Sequence, residues 1–255
     1  MNDIEVRQYF QERIDRLLAH YASSRNKYET IWSFYRNQMP QCIANCTNEG
    51  KKYSPEQSID GPQGIYWIGS HPKILFVGRE HFGWYGPTQW EADRVSICCS
   101  PLEFAFFTVS SMGAYWAIIK ELTQEVLALG LGDWDAVLEK VAFTNACKCL
   151  ADSGTLQWFL HQGCSNSGYL RHEIKTVAAP LSVLFTKSYN LSGTIFAEDT
   201  TKLMESDDFC VLRMGEQVLI ECAHPGRQSI EWRARLKGIM AQYLDGAEPE
   251  REPDA

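Results

Sequence analysis

The chain has 255 residues with a formal charge of −8, 45 % hydrophobic and 22 % charged. That is the profile of a globular protein with enough chain for a sizeable core. It holds no apolar run near the roughly 18 residues of a membrane span and opens with no signal-peptide core, so a cytoplasmic protein is expected. The acidic balance excludes a surface that coats nucleic acid broadly, but it allows a small, locally basic DNA footprint.

Asn2 or Asp3 can cap an opening helix whose Val6, Phe10, Ile14, Leu17, Leu18 and Tyr21 keep helical spacing. A second, aromatic helix is expected next, with Tyr28, Ile31, Trp32 and Tyr35 on one face. Residues 47–72 are polar and carry Pro55, Gly61, Pro62, Gly64 and Gly69, which reads as a loop. Residues 74–77 are a continuous β-favouring apolar run, the pattern of a strand buried on both faces. A helix is predicted over 112–129, with Tyr115, Ile118, Ile119, Leu122 and Val126 as its buried stripe and Gly130 as its stop. A strand over 141–147 follows, then a helix over 169–178 capped from 165–167 and a strand over 181–186. Phe209–Met214 and Gln217–Cys222 flank Gly215 and read as a hairpin. A last helix is predicted over 229–243, and the Glu- and Pro-rich 245–255 as a disordered tail.

This alternation predicts an α/β fold: a three-layer α/β/α sandwich with a mainly parallel central sheet. Residues 1–70 would be a helical extension and loop packed on a core domain of 71–244. In open α/β sheets ligands bind outside the carboxyl ends of strands. Three polar motifs stand at such ends and could converge on one crevice: Glu80 after the first core strand, Asn145, and His224. The loop Gly78-Arg79-Glu80-His81-Phe82-Gly83-Trp84-Tyr85-Gly86 combines a carboxylate, an imidazole and aromatic faces, a set suited to acid–base chemistry on a flat ring.

Taken in order, these motifs resemble those of the uracil-DNA glycosylase superfamily. Gly78-Arg79-Glu80-His81-Phe82 stands where members carry a Gly-Gln-Asp-Pro-Tyr type loop. Thr144-Asn145-Ala146-Cys147-Lys148-Cys149 resembles the Thr-Asn-x-x-Lys-Cys run of the iron–sulfur branches, and His224-Pro225-Gly226 the late His-Pro-Ser loop. The resemblance spans about residues 70–243. It implies a monofunctional DNA N-glycosylase that flips out an altered pyrimidine and leaves an abasic site. Glu80 would stabilise the oxocarbenium-like sugar and orient water, and His224 would stabilise charge on the departing base. Asn145 would read the base's Watson–Crick edge beside Gly78, Arg79 and His81, with Phe82 or Trp84 stacking on it. Arg227 stands where relatives drive a side chain into the duplex; Lys148, Lys187 and Ser229 are candidate phosphate contacts. Glu80 paired with Arg79 or Arg94, and Asn145 merely ending a strand, are the alternatives.

The first loop departs furthest from the family, with Arg79 for a neutral residue, Glu80 for Asp and His81 for Pro; Gly226 also replaces Ser. That favours a bulky modified cytosine, such as the glucosylated hydroxymethylcytosine of phage DNA, over uracil, and hence antiviral defence over repair. A nucleic-acid-binding module of the same fold that has lost activity is the alternative. Of nine cysteines, Cys42, Cys46, Cys149 and Cys164 match the ligand pairs of the iron–sulfur members, although Cys42-x-x-x-Cys46 is one residue longer than their first pair. A 4Fe-4S cluster, a zinc ion or reduced thiols buried as small hydrophobes are the three possibilities.

Overall fold

The computed structural model describes residues 3–45, 65–78, 114–130, 134–146 and 167–244. The elements are α1 (Asp3–Asn45), β1 (Ile65–Ile68), β2 (Ile74–Gly78), α2 (Ala114–Val126), α3 (Trp134–Lys140), β3 (Val141–Asn145), α4 (Tyr169–Val177), β4 (Leu181–Leu184), α5 (Leu191–Thr194), β5 (Thr201–Glu205), β6 (Phe209–Met214), β7 (Gln217–Cys222) and α6 (Ile230–Leu244). All seven strands form one sheet in the order β1-β3-β2-β4-β7-β6-β5.

The fold is α/β with a mixed sheet. The inner strands β3, β2, β4 and β7 are parallel, whereas β1–β3, β7–β6 and β6–β5 pair antiparallel. The expectation of a mainly parallel sheet therefore describes its centre alone. The β7-β6-β5 edge differs because these strands are joined by short turns, which can link only antiparallel neighbours. Gly215 takes φ 60° at the first central position of the β6–β7 turn, where a type II′ hairpin turn needs glycine.

Strand β2 shows why its sequence is apolar throughout. Ile74 and Phe76 enter one hydrophobic cluster with Ile118, Ile119 and Leu122 of α2, Leu138 of α3 and Leu236 of α6. Leu75 and Val77 enter a second cluster with Tyr28 and Ile31 of α1 and Leu170 and Ile174 of α4. The crossover from β2 to β3 runs through α2 and α3, and that from β3 to β4 through α4.

The two expected N-terminal helices are one continuous helix of 43 residues, about 65 Å at the usual rise per residue. The polar stretch around Ser23 does not break it. Ser23 Oγ donates to the His20 carbonyl at 2.7 Å and Thr30 Oγ1 to the Asn26 carbonyl at 2.8 Å, both within the helix. Ser24 Oγ donates outward, to the Gly69 carbonyl at 2.8 Å. The expected loop 47–72 contains β1, an edge strand that α1 covers: the Ile68 N–H donates to the Tyr28 hydroxyl at 2.6 Å. The expected boundary at residue 70 thus falls just beyond a strand of the shared sheet. The strand expected over 141–147 ends at Asn145, and β5 was not anticipated. The tail 245–255 lies outside the described residues. Among the described residues no helix is long and apolar enough to cross a membrane.

A buried polar chain ties α1, α4 and β3 together. Tyr35 and Thr144 donate to the two carboxyl oxygens of Glu173, Thr144 at 2.8 Å. Burial pushes the Glu173 carboxyl well above the ordinary 4.5. Between 4.5 and the raised value the folded chain binds more protons than the unfolded one, so this group's stabilisation is full below about pH 4.5 and declines as pH rises. Glu173→Gln should flatten that decline in urea titrations across the acid-to-neutral range. Glu173→Leu should lower stability most at acid pH, by about 1–3 kcal/mol for each hydroxyl left unpaired, and less as pH rises, because it also removes a buried charge.

Candidate functional site

Because β3, β2, β4 and β7 are parallel, their carboxyl ends share one edge of the sheet. The chain leaves β2 for β3 on one side and returns to β4 on the other, so the order reverses at β2. Such a switch point opens a crevice above the strand ends.

Gly78 ends β2 and Asn145 ends β3, and they are register partners. The Ala146 N–H extends the pairing to the Gly78 carbonyl at 2.9 Å. The Asn145 side chain lies across the end of β2: a Cβ added to Gly78 would stand 2.1 Å from Asn145 Oδ1. No residue but glycine leaves room there. Asn145 is 8 % exposed, so its amide is a buried donor–acceptor pair rather than a solvated strand end.

His224 follows β7 by two residues and caps the short 3-10 turn Pro225–Arg227. Its Nδ1 accepts from the Gly226 N–H at 3.2 Å, which assigns the proton of the neutral ring to Nε2. The imidazole is stacked on Tyr115 of α2, with ring centroids 4.9 Å apart and planes 17° apart. It also meets Phe185 edge-on at 6.2 Å. Phe185 continues β4, its N–H bonded to the Val77 carbonyl at 2.9 Å, and its ring stacks on Phe76 at 6.1 Å. Strand alternation puts Gly78, Asn145, Phe185 and Cys222 on the face that carries Phe76, Phe143, Val183 and Ile220. At this edge a buried aromatic cluster lies between the Asn145 amide on β3 and the His224 imidazole after β7.

The opposite face of the same edge is tied down by Glu221. Its buried carboxylate accepts from Thr186 Oγ1 and from the Leu191 N–H, both at 2.8 Å, which fixes the turn Lys187–Tyr189 and the start of α5. Cys222 is a buried free thiol; burial and then the Glu221 charge push its ionisation well above the ordinary 9.0. Cys210 is likewise a buried free thiol, as expected of small hydrophobes.

Of the residues singled out in the sequence, Gly78, Asn145 and His224 share this edge. Lys187 lies at it too and donates to the Ser206 carbonyl at 3.1 Å. Arg227 ends the turn that His224 caps. Ser229 caps α6, accepting from the Trp232 N–H at 3.2 Å, and its bond to Glu231 holds that carboxyl below its ordinary value. Arg79, Glu80, His81, Phe82, Trp84, Lys148, Cys46, Cys149 and Cys164 lie outside the described residues. Cys42 lies near the end of α1. Among the described residues no group of three or more His, Cys, Asp or Glu could hold a metal ion. The sequence shows Tyr115 only as part of a buried helical stripe and Phe185 only as part of the strand expected over 181–186, and neither pattern tells which ring a residue will face.

Gly78→Ala should leave the sheet folded and turn the Asn145 amide away from β2. The side-chain amide resonances of Asn145 in a 15N-resolved spectrum would report it; unchanged resonances would mean that the close approach does not fix this amide.

No family model matches the chain, and no curated protein matches it.

Proposed function

We propose that the chain is a cytoplasmic, monofunctional DNA N-glycosylase with a three-layer, uracil-DNA-glycosylase-like fold. The observation that carries this reading is the pairing of Gly78 with Asn145, whose amide lies over the glycine, on the sheet edge where the His224 imidazole stands. A flipped pyrimidine brought to this edge would offer its Watson–Crick edge to the Asn145 amide, which carries both a donor and an acceptor.

The C1′–N bond breaks with its electron pair leaving on the base, and the sugar becomes oxocarbenium-like. Nε2–H of His224 stabilises the charge that develops on a base oxygen. Glu80 follows Gly78 by two residues in the chain and is the carboxylate proposed to face the sugar and orient water. Water then adds its oxygen to C1′, and the base leaves protonated from an abasic site. Arg79, His81, Phe82 and Trp84 would line the base, and Arg227 and Lys187, with Lys148, the DNA backbone. The preferred substrate is a bulky modified cytosine, with uracil as the comparison.

A 4Fe-4S cluster on Cys42, Cys46, Cys149 and Cys164 belongs to the same reading. The path of α1 supports it. Lys27 donates to the Val177 carbonyl at 2.7 Å, at the end of α4, while Phe34 meets Tyr169 at its start. Continued to Asn45, α1 therefore runs on past the start of α4 toward the side from which the cysteine segments depart. Cys149 follows Ala146 by three residues and Cys164 precedes Ser167 by three. Four thiolates there would cross-link α1 to the β3–α4 connection, and base release itself uses no electron from them.

DNA carrying either glucosylated hydroxymethylcytosine or uracil, incubated with the protein and then cleaved with alkali, tests the activity. Strand breaks should appear, with the modified cytosine preferred; their absence on every substrate would leave a nucleic-acid-binding module. Glu80→Gln and His224→Ala should each slow release by about tenfold to ten-thousandfold. Protein purified without oxygen should be brown, with absorbance near roughly 400 nm that Cys149→Ala removes.

A further inference from the structure

We propose that Tyr115 is a positioning residue for His224, its ring fixing the plane in which the imidazole presents Nε2–H. The effect on catalysis rests on the glycosylase reading; the effect on the imidazole does not.

His224 is exposed and lies in a connection rather than in a strand, where a histidine ordinarily samples several rotamers. The bond from the Gly226 N–H to Nδ1, which sets the tautomer, is made only while the imidazole keeps its place over Gly226. Tyr115 holds it there by lying face to face with the imidazole, 4.9 Å away and 17° from parallel. The tyrosine is itself held, edge-on to Trp116 at 4.9 Å and to Phe185 at 5.9 Å. Helix α2 also packs on the turn Pro225–Arg227, so ring and loop share one support.

Two further observations separate this role from others. Burial pushes the Tyr115 phenol well above its ordinary 10.0, so it stays neutral and is no proton donor or base for the site. The glycine at 226 takes part as well: a Cβ there would stand 3.3 Å from both Cε1 and Nδ1 of His224, so the ring leans over a position kept bare. A leucine at 115 would satisfy the helix's apolar stripe, but only a planar ring sets the angle of another.

The test compares Tyr115→Phe with Tyr115→Leu by 15N shifts of the His224 ring and by single-turnover base release. In the parent protein and in Tyr115→Phe the shifts should report one tautomer, with the proton on Nε2. In Tyr115→Leu they should average toward both. Base release should fall about a hundredfold in Tyr115→Leu at unchanged KM, as for a misplaced reacting group, and be kept in Tyr115→Phe. In a His224→Ala background Tyr115→Leu should add no further loss. A single Nε2–H tautomer in Tyr115→Leu, or an equal loss with and without His224, would overturn the proposal. If the parent protein releases no base at all, the glycosylase reading fails and the tautomer alone decides the role of Tyr115. Tyr115→Met takes the place of the leucine variant should that one not fold.

Discussion

Asn145 can lie across the end of β2 only because residue 78 has no side chain, and the organisation of the carboxyl edge depends on that close approach. It requires β2 and β3 to be parallel and in the register that pairs Gly78 with Asn145. A slip of one residue would turn Asn145 to the opposite face and put Thr144 in its place. The register is held from below as well as from within the sheet. Thr144 points to the other face and bonds Glu173 on α4, which Tyr35 bonds from α1. Asn145 and Thr144, the residue that bonds the buried Glu173 carboxyl, are thus neighbours in the chain on opposite faces of one strand, so both contacts hold the same register.

The two faces of the sheet divide the work at this edge. On one, Glu173 and Glu221 are buried carboxyl groups whose partners are hydroxyls and a backbone N–H, with Lys187 donating elsewhere. Such polar networks are a weak source of net stability, because removing carboxyl groups from water offsets most of what their hydrogen bonds contribute. They do impose unique geometry on β3, on the turn after β4 and on the start of α5. The other face is aromatic, with Phe76, Phe143, Phe185 and Tyr115 stacked or edge-on in sequence across neighbouring elements.

What the sequence conveyed follows from which interactions are local. The run at 74–77 must be apolar on both faces, so its burial could be read directly, and the Gly215 hairpin was legible from its turn residue. The single helix α1 was not. Its Ser-rich middle resembles a linker, and the partners that keep it helical include Gly69, far along the chain. Strand β1 is itself apolar, with Ile65, Trp67 and Ile68 buried, and was hidden by the Pro- and Gly-rich residues around it, Pro62, Gly64 and Gly69. Asn145 and His224 could be picked out as polar residues at strand ends, but the stack of Tyr115 on His224 could not. A helical stripe records that a residue is buried and leaves open what it faces.

Charge also bears on how such a site would hold DNA. With a formal charge of −8 the chain has few cations to set against phosphates, and several of those described already face carboxylates. Arg16 pairs with Asp135, Arg235 with Asp208 and Lys237 with Glu125, and both Arg171 and Lys175 with Asp199. Lys187 donates to the Ser206 carbonyl, with Glu205 near enough to feel its charge. On the glycosylase reading, few phosphate contacts mean few released counterions and a shallow dependence of affinity on salt. On that reading binding would draw instead on the base itself, through the Asn145 amide and the His224 imidazole, and so would favour the base that these two groups fit.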